Sequence, residues 1–368
     1  WIVVMMLATG ARPARSEQLL YLASTQEKSI VAHAIDPDSG ELKKRFEVSL
    51  PGNAGPLAFS PNNEFVYAAV TGLSGGKAGV TTLKRLENGS LTVVATATIT
   101  SRAPYIRADR SGKFLLAAHY GEGEVTMYRI RDGVCTDELL DRHVTAKTAH
   151  CIEMDPSGRF AFVPHTSPNR VYQFKLDAKK EKLVPNDPPF VEGPDMDHRY
   201  HEPRHYAHHP KLSMAFTSNE NGGGITAWRF DGKTGTLEKV QTLCTLPPDY
   251  QGNSAAADIR LTPDGRYAYV SNRDVTKREE GEPAQDTIAA IAIDPKSGEM
   301  RIVGHYRTSQ FPRSICIDQS GRYLYAAGQK SAELFSYRID PQSGALSHLK
   351  TYKTGGVPIW VECRHTVK

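Results

Sequence analysis

The side chains best suited to chemistry are His150, Arg204, Glu220, Arg273, Arg313 and Gln329, with His119, His165 and His205 near them. Three guanidiniums around one cleft suit a carboxylate or a phosphate, because each offers a planar fork of donors. A histidine and a glutamate beside them can move protons near neutral pH if burial and neighbours tune them. His150, Glu220, Arg204 and Arg273 form the expected catalytic group. Arg313, Gln329, His205, His165 and His119 form the expected substrate-binding group. Such a set needs neither a metal nor an organic cofactor. The competing reading uses the same arginines and glutamate as structural salt bridges, or solvates them along a channel.

Other motifs carry less. His201-Glu202-Pro203-Arg204-His205 matches the HExxH string of zinc proteases. That motif needs a helix, and Pro203 disfavours one. The wider cluster of His198, His201, His205, His208 and His209 reads as a solvated loop. Gly222-Gly223-Gly224 lacks the following Lys-Ser/Thr and helix of a phosphate loop. No GxSxG elbow is present, so no serine nucleophile is expected. The five cysteines, Cys135, Cys151, Cys244, Cys316 and Cys363, are odd in number and show no CxxC pairing. Free thiols are expected, with Cys151 and Cys316 buried in strand-like runs.

Bulk properties exclude some partners. A net charge of +4 is too small to argue for nucleic acid or an anionic membrane. No segment approaches the ~20 apolar residues of a membrane span. The charge is compatible with a small anionic substrate such as a carboxylate but does not demand one, and a monomer or weak oligomer is expected. The run Trp1–Ala8 is apolar and lacks an initiator Met, and Ala14 and Ser16 fit a cleavage site before Glu17. Residues 1–16 thus read as a truncated secretory signal, and 17–368 as one domain. That expectation makes the protein periplasmic or extracellular; a non-native start and a cytoplasmic protein are the alternative.

The elements that must position these groups are repeats. An apolar run, a turn and an aromatic-rich run recur from Leu57, Ile106, Cys151, Tyr206, Ile259 and Ile315. Their turn positions are Pro61, Arg110, Pro156, Pro210, Pro263 and Gln319, spaced 49, 46, 54, 53 and 56 residues apart. The runs alternate in strand fashion around Pro/Ser/Asp-Gly turns, so each copy is a β-hairpin. A second hairpin with Asp/Asn/Gly turns recurs seven times, from VAHAIDPDSGEL to LFSYRIDPQSGAL. The two together make a four-stranded antiparallel blade. The seventh first-type hairpin is split between VPIWVECRH near the C-terminus and LLYLAST near the N-terminus. The expected fold is therefore all-β: a seven-bladed β-propeller whose last blade is closed by both chain ends.

The register places the chemistry. If the first strand of each blade is innermost, its start and the end of the second strand share one face. Six residues before each turn stand Gly55, Pro104, His150, Arg204, Ala257 and Arg313. At the ends of the second strands stand Val70/Thr71, His119/Tyr120, His165/Thr166, Asn219/Glu220, Asn272/Arg273 and Gly328/Gln329. Insertions at 190–203, 245–256 and 274–286 are expected on the same face, as walls or a lid.

Asp155-Pro-Ser-Gly-Arg-Phe, Thr262-Pro-Asp-Gly-Arg-Tyr, Glu202-Pro-Arg-His205, Ser271-Asn-Arg273, Ala327-Gly-Gln-Lys330 and Gly356-Val-Pro-Ile-Trp360 resemble motifs of one family. It is the lactonase family of seven-bladed propellers, and the likeness runs from about Leu19 onward. The family holds both a 6-phosphogluconolactonase and a carboxy-cis,cis-muconate cyclase. In the cyclase branch a His, two Arg and a Glu are proposed at the channel mouth; the matching positions are His150, Arg204, Glu220 and Arg273. The resemblance implies a hydrolase opening a sugar lactone, with Arg anchoring of the substrate and His150 or Glu220 as general base. A lactonising cyclase and a non-catalytic binding propeller are the alternatives.

Overall fold

The repeated turns form because a polar side chain caps each of them, an aspartate in three copies and Ser60, His209 and Thr262 in the others. Asp155 Oδ1 accepts the amides of Arg159 and Phe160, each at 2.8 Å, while Oδ2 accepts the Ser157 amide at 2.8 Å. Asp109 and Asp318 make the same bonds in their own turns. Local side-chain bonds of this kind hold the chain in a turn and set the register of the strands on either side.

The computed structural model describes residues 17–197, 200–279 and 281–366. The signal expected at 1–16 and His198 of the histidine cluster lie outside those residues. The described chain is all β apart from a short 3₁₀ turn at Ser74–Gly76. Its twenty-eight strands fall into four-stranded antiparallel units. In chain order these are blade 1 (53–99), blade 2 (105–144), blade 3 (153–192), blade 4 (201–244), blade 5 (254–307) and blade 6 (312–353). A further unit, blade 7, pairs Pro358–His365 with Gln18–Ser24 and continues through Ser29–Ile35 and Leu42–Ser49. Blades 4 and 5 are also joined by a single bridge, Asn221 to Ala255. No described helix is long and apolar enough to cross a membrane.

The first strand of each blade is the inner one. Pro358–His365 packs against Pro312–Ile317 of blade 6 and Asn53–Phe59 of blade 1, and Asn53–Phe59 packs against Tyr105–Ala108 of blade 2. The second strands are buried on both faces, because blades stack face to face. Leu324, Tyr325, Ala326 and Ala327 are all fully buried.

Tyrosines latch one blade to the next. The hydroxyls of Tyr21, Tyr67, Tyr269 and Tyr325, on second strands, donate to the carbonyls of Gly89, Gly133, Gly344 and Gly40 at 2.7–2.9 Å. Each acceptor lies in the outer hairpin of the following blade. Glycine is required there. A Cβ on Gly133 would sit 2.0 Å from the Phe65 ring, and its φ of 80° is one that L side chains rarely adopt. The Asp-Gly chemistry of the second hairpin thus serves packing between blades as well as the turn.

All five cysteines are free. The zinc-protease string lies in the extended strand His201–His208, and Glu202 has φ 70°, so its histidines do not share a helical face.

Candidate active site

Inner strands reach the mouth of the channel through β-bulges. The pairing register shifts by one residue between Ala54 and Leu57, Pro203 and Tyr206, Ala256 and Ile259, and Pro312 and Ser314. It also shifts between Ala149 and Glu153 in blade 3. The shifted residues include Gly55, His150, Arg204, Ala257 and Arg313, the positions found by counting six back from each turn. A bulge bends the strand and re-aims side chains, which is how these residues leave the ladder and face a cavity.

That cavity has two continuous parts, of about 360 and 500 Å³, which share Arg102, Pro104, His150 and Arg313. The first part is also lined by Arg204, His205, Gln329 and Trp360, the second by Glu220 and Tyr120. Its size is that of a small-molecule site.

Arg204 is the centre of the arrangement. It is 1% exposed. Its Nε lies 3.4 Å from Glu220 Oε1 but out of line for a hydrogen bond, and neither Nε nor Nη1 has an acceptor. Buried donors without partners cost about 1–3 kcal/mol each, so two on one side chain mark a place for a ligand's oxygens. Burial, and then the neighbouring Arg273 charge, push its pKa well below that of an ordinary guanidinium.

Arg273 stands behind Glu220 and does not line the cavity. Its Nη2 pairs closely with Glu220 Oε1, and its Nε donates to the Ala255 carbonyl at 3.1 Å. Its guanidinium lies over Phe311, 5.0 Å from the ring centre. Burial alone would raise the Glu220 carboxyl, but Arg204 and Arg273 hold it below its usual value. Glu220 is thus an ionised clamp between two cations, which makes it a weak base.

His150 is buried, and its Nδ1 has no partner. Its pKa falls well below the ordinary histidine value, first through burial and then through Arg204, His205, Arg313 and Arg273. It is therefore neutral at physiological pH. Its ring lies 5.2 Å from that of His205 and 5.6 Å, edge to face, from Tyr120.

His205 has a different environment. Its Nδ1 is 2.9 Å from Asp258 Oδ1, so the proton sits on Nδ1. Asp258 Oδ2 takes the Ile315 amide at 3.0 Å and the Ser314 hydroxyl at 3.2 Å. Arg260 and His205 outweigh burial to keep Asp258 ionised. Burial and Arg204 together overcome Asp258 and lower His205 to about 4.

The structure thus brings His150, Arg204, His205, Glu220, Arg313 and Gln329 to one cleft, with Arg273 just behind. It does not bring His119 or His165, which correct the expectation. Both are fully buried. His119 is bonded to Ser101 and Thr126, and His165 to Thr145 and the Val163 carbonyl. Side chains alternate along a strand, so where Tyr120 faces the cleft, His119 must face into its blade. Burial lowers His165 to about 4, which keeps it neutral. The insertions differ too. The segments at 245–256 and 274–286 tie to each other, through the Tyr250 hydroxyl to Asp274 at 3.1 Å and the Asn253 amide to the Thr276 hydroxyl at 2.9 Å, and no described residue of the three insertions lines the cleft.

Two residues at the cleft were missed, Asp258 against His205 and Arg102 on the cavity wall. Asp258 follows the six-back position in blade 5, as His205 does in blade 4 and Ser314 in blade 6. These three polar residues in register are a signal that could have been read. Arg102 stands eight before its turn, two before the position counted.

Known proteins resemble the chain over nearly its whole length. The sequence pattern of the family described as lactonase, 7-bladed beta-propeller matches residues 19–363. A 6-phosphogluconolactonase of Yersinia pestis (strain Pestoides F) is 30% identical over 351 residues, covering 95% of this chain and 98% of that protein. One from Klebsiella pneumoniae is 30% identical over 347 residues, covering 94% and 98%. The fold resembles the periplasmic gluconolactonase of Pseudomonas aeruginosa with a TM-score of 0.82 at 22% identity, covering 95% of this chain and 100% of that one. With blades, register and near end-to-end matching all in accord, the chain belongs to the lactonase family of seven-bladed β-propellers.

Proposed function

We propose that this protein is a hydrolase that opens a sugar lactone of the 6-phosphogluconolactone kind. The observation that carries the reading is the buried Arg204, with two donor nitrogens lacking acceptors, beside a neutral His150 on the same cleft wall. The names of the 30%-identical relatives support the substrate class.

Water attack on a lactone carbonyl places negative charge on the carbonyl oxygen. Preplaced donors in a buried site stabilise that charge most, because they need no reorganisation. Arg204 supplies them. Arg273 and Glu220 hold Arg204 in place rather than touching the substrate. His150 takes the proton from the attacking water as the new C–O bond forms. The ring C–O bond then breaks, and the same proton returns to the leaving alkoxide. Glu220, whose Oε1 is engaged by Arg204 and Arg273, is less free to take that proton than His150, whose Nδ1 has no partner. Gln329 and Arg313 position the substrate. The pairing of Pro358–His365 with Gln18–Ser24 closes the ring that carries these inner strands.

The test is opening of 6-phosphogluconolactone above its spontaneous rate by the purified protein. Arg204→Ala should lose about 10²–10³ in kcat, the usual loss when one oxyanion donor is removed. No acceleration by the unaltered protein would sink the proposal. Turnover of a muconate substrate without lactone opening would instead favour the cyclase chemistry.

A further inference from the structure

We infer that Arg102 and Arg313 form a second anion subsite in the cleft, built for a phosphate monoester at the end of the substrate away from its reacting carbonyl. The inference deepens the lactonase reading and rests on it.

The two arginines come from blades on different sides of the axis. Arg102 precedes the inner strand of blade 2, and Arg313 lies in the bulge of blade 6. Both line both parts of the cavity. Among the described residues, neither forms an ion pair with a carboxylate. That distinguishes them from the other arginines near the axis. Arg204 and Arg273 share Glu220. Deeper in the channel, Arg107 is matched by Glu153, Arg260 by Asp258 and Glu362, and Arg364 by Glu362. Glu122 also lines the outer part of the cavity, is exposed, and pairs with neither Arg102 nor Arg313.

The consequence is electrostatic. Two unmatched guanidiniums face one cavity, and a bound anion converts their repulsion into attraction. Arg313 already registers the strain: burial, Arg273 and then Arg102 push it down to about 10, against the opposing pull of the Glu220 charge. A phosphate monoester carries about −1.5 to −2 charge and three acceptor oxygens. That is enough for two planar forks, whereas one carboxylate is the match for a single fork. Depth sets the direction of the substrate. Arg204 and His150 are buried, and Arg102 is exposed at the rim. The carbonyl therefore goes inward and the phosphate outward. Simple attraction of anions to a positive rim is the competing account, and it predicts no preference between substrates beyond charge-dependent encounter.

The experiment compares kcat/KM on 6-phosphogluconolactone with that on unphosphorylated gluconolactone, at 0.05 and 0.5 M salt. The proteins are the unaltered chain, Arg102→Gln, Arg313→Gln and the double variant. The unaltered protein is expected to prefer the phosphorylated lactone at both salt concentrations. Each single substitution should lower that preference about ten- to a hundredfold, the worth of a charge-assisted bond. Arg102 is exposed, so its loss does not endanger the fold. A preference that survives both substitutions, that falls equally for both lactones, or that vanishes at high salt overturns the subsite. If the unaltered protein opens neither lactone, the lactonase reading fails on its own. The subsite is then read by calorimetry with gluconate 6-phosphate and gluconate. Tighter binding of the phosphorylated acid, lost in the double variant, supports it, and equal binding overturns it.

Discussion

Replacing Glu220 by Gln keeps the size of the side chain and removes only its charge. Arg204 and Arg273 are 1% and 4% exposed, and Glu220 is the anion they share. At 3.4 Å and an effective dielectric of about 20, a pair of unit charges attracts by roughly 5 kcal/mol before desolvation is counted. Removing one partner of a buried pair commonly costs about 3–5 kcal/mol. The Glu220 side chain keeps 22% exposure, and solvent screening brings the expected loss to about 2–3 kcal/mol. The measurement is a urea melt in chloride and again with gluconate 6-phosphate. An anion seated on Arg204 replaces part of the missing carboxylate, so the ligand should stabilise Glu220→Gln more than the unaltered protein. Ligand at 100 times its Kd stabilises by about 2.7 kcal/mol, which is large enough to resolve such a difference. Lactone opening should fall at least tenfold, because Arg204 is no longer held. A variant that melts with the unaltered protein in chloride would refute the clamp, and equal stabilisation by the ligand would refute the idea that Arg204 receives the anion.

Asp258→Asn removes the carboxylate that holds His205, Ser314, Ile315 and Arg260 together, and should cost about 3–5 kcal/mol in a denaturant melt. His165, buried and lowered to about 4 against an ordinary 6.5, is neutral when folded. Its unfolded form takes a proton first as pH falls, so stability present above 6.5 is lost between 6.5 and 4, by about 2–3 kcal/mol. His165→Gln should flatten that part of the stability–pH curve and leave lactone opening at pH 7 near that of the unaltered protein; a collapse of activity would return His165 to the site. Because burial and four neighbouring cationic or imidazole groups depress His150, kcat/KM on unphosphorylated lactone should show no acid limb between pH 6 and 7. Gly133→Ala, with its Cβ 2.0 Å from Phe65 and φ at 80°, should destabilise by about 2–4 kcal/mol in a thermal melt.

The blades were legible because their signals are local. Asp109, Asp155 and Asp318 each close a turn within five residues, so the sequence around them carries the whole of the turn. The second hairpin was legible for its turn but not for its further role. Nothing within VTMYRIRDGV says that Gly133 must receive the hydroxyl of Tyr67 and make room for Phe65, both 66 or more residues earlier. Contacts between blades are set by stacking, which one hairpin's sequence does not encode. The insertions fail for the same reason: their face follows from the strand count, but those at 245–256 and 274–286 bond to each other, and that at 190–203 bonds to Asn169, Asn219 and Lys239.

The site was half legible, and both errors have one cause. In a regular strand, neighbours face opposite ways, so of His119 and Tyr120 only Tyr120 reaches the cleft. Counting both as site residues ignored the alternation, and it brought in His119 and His165. In the inner strands the bulge suspends the alternation. Arg204 and His205 are adjacent, yet both line the cleft. Counting only one position there left out Asp258, which follows the bulged Ala257 and reaches across to His205 and Ser314. A register rule for such a blade therefore takes one residue per pair from the second strand and two consecutive residues from the first. Applied to the six complete copies, its selection includes Tyr120, Glu220 and Gln329 from the former, and His150, Arg204, His205, Asp258 and Arg313 from the latter. It also selects Arg273, which the structure places one step back, against Glu220. Arg102 lies before the inner strand of blade 2 begins, where no ladder fixes the register, and only the folded cavity reveals it.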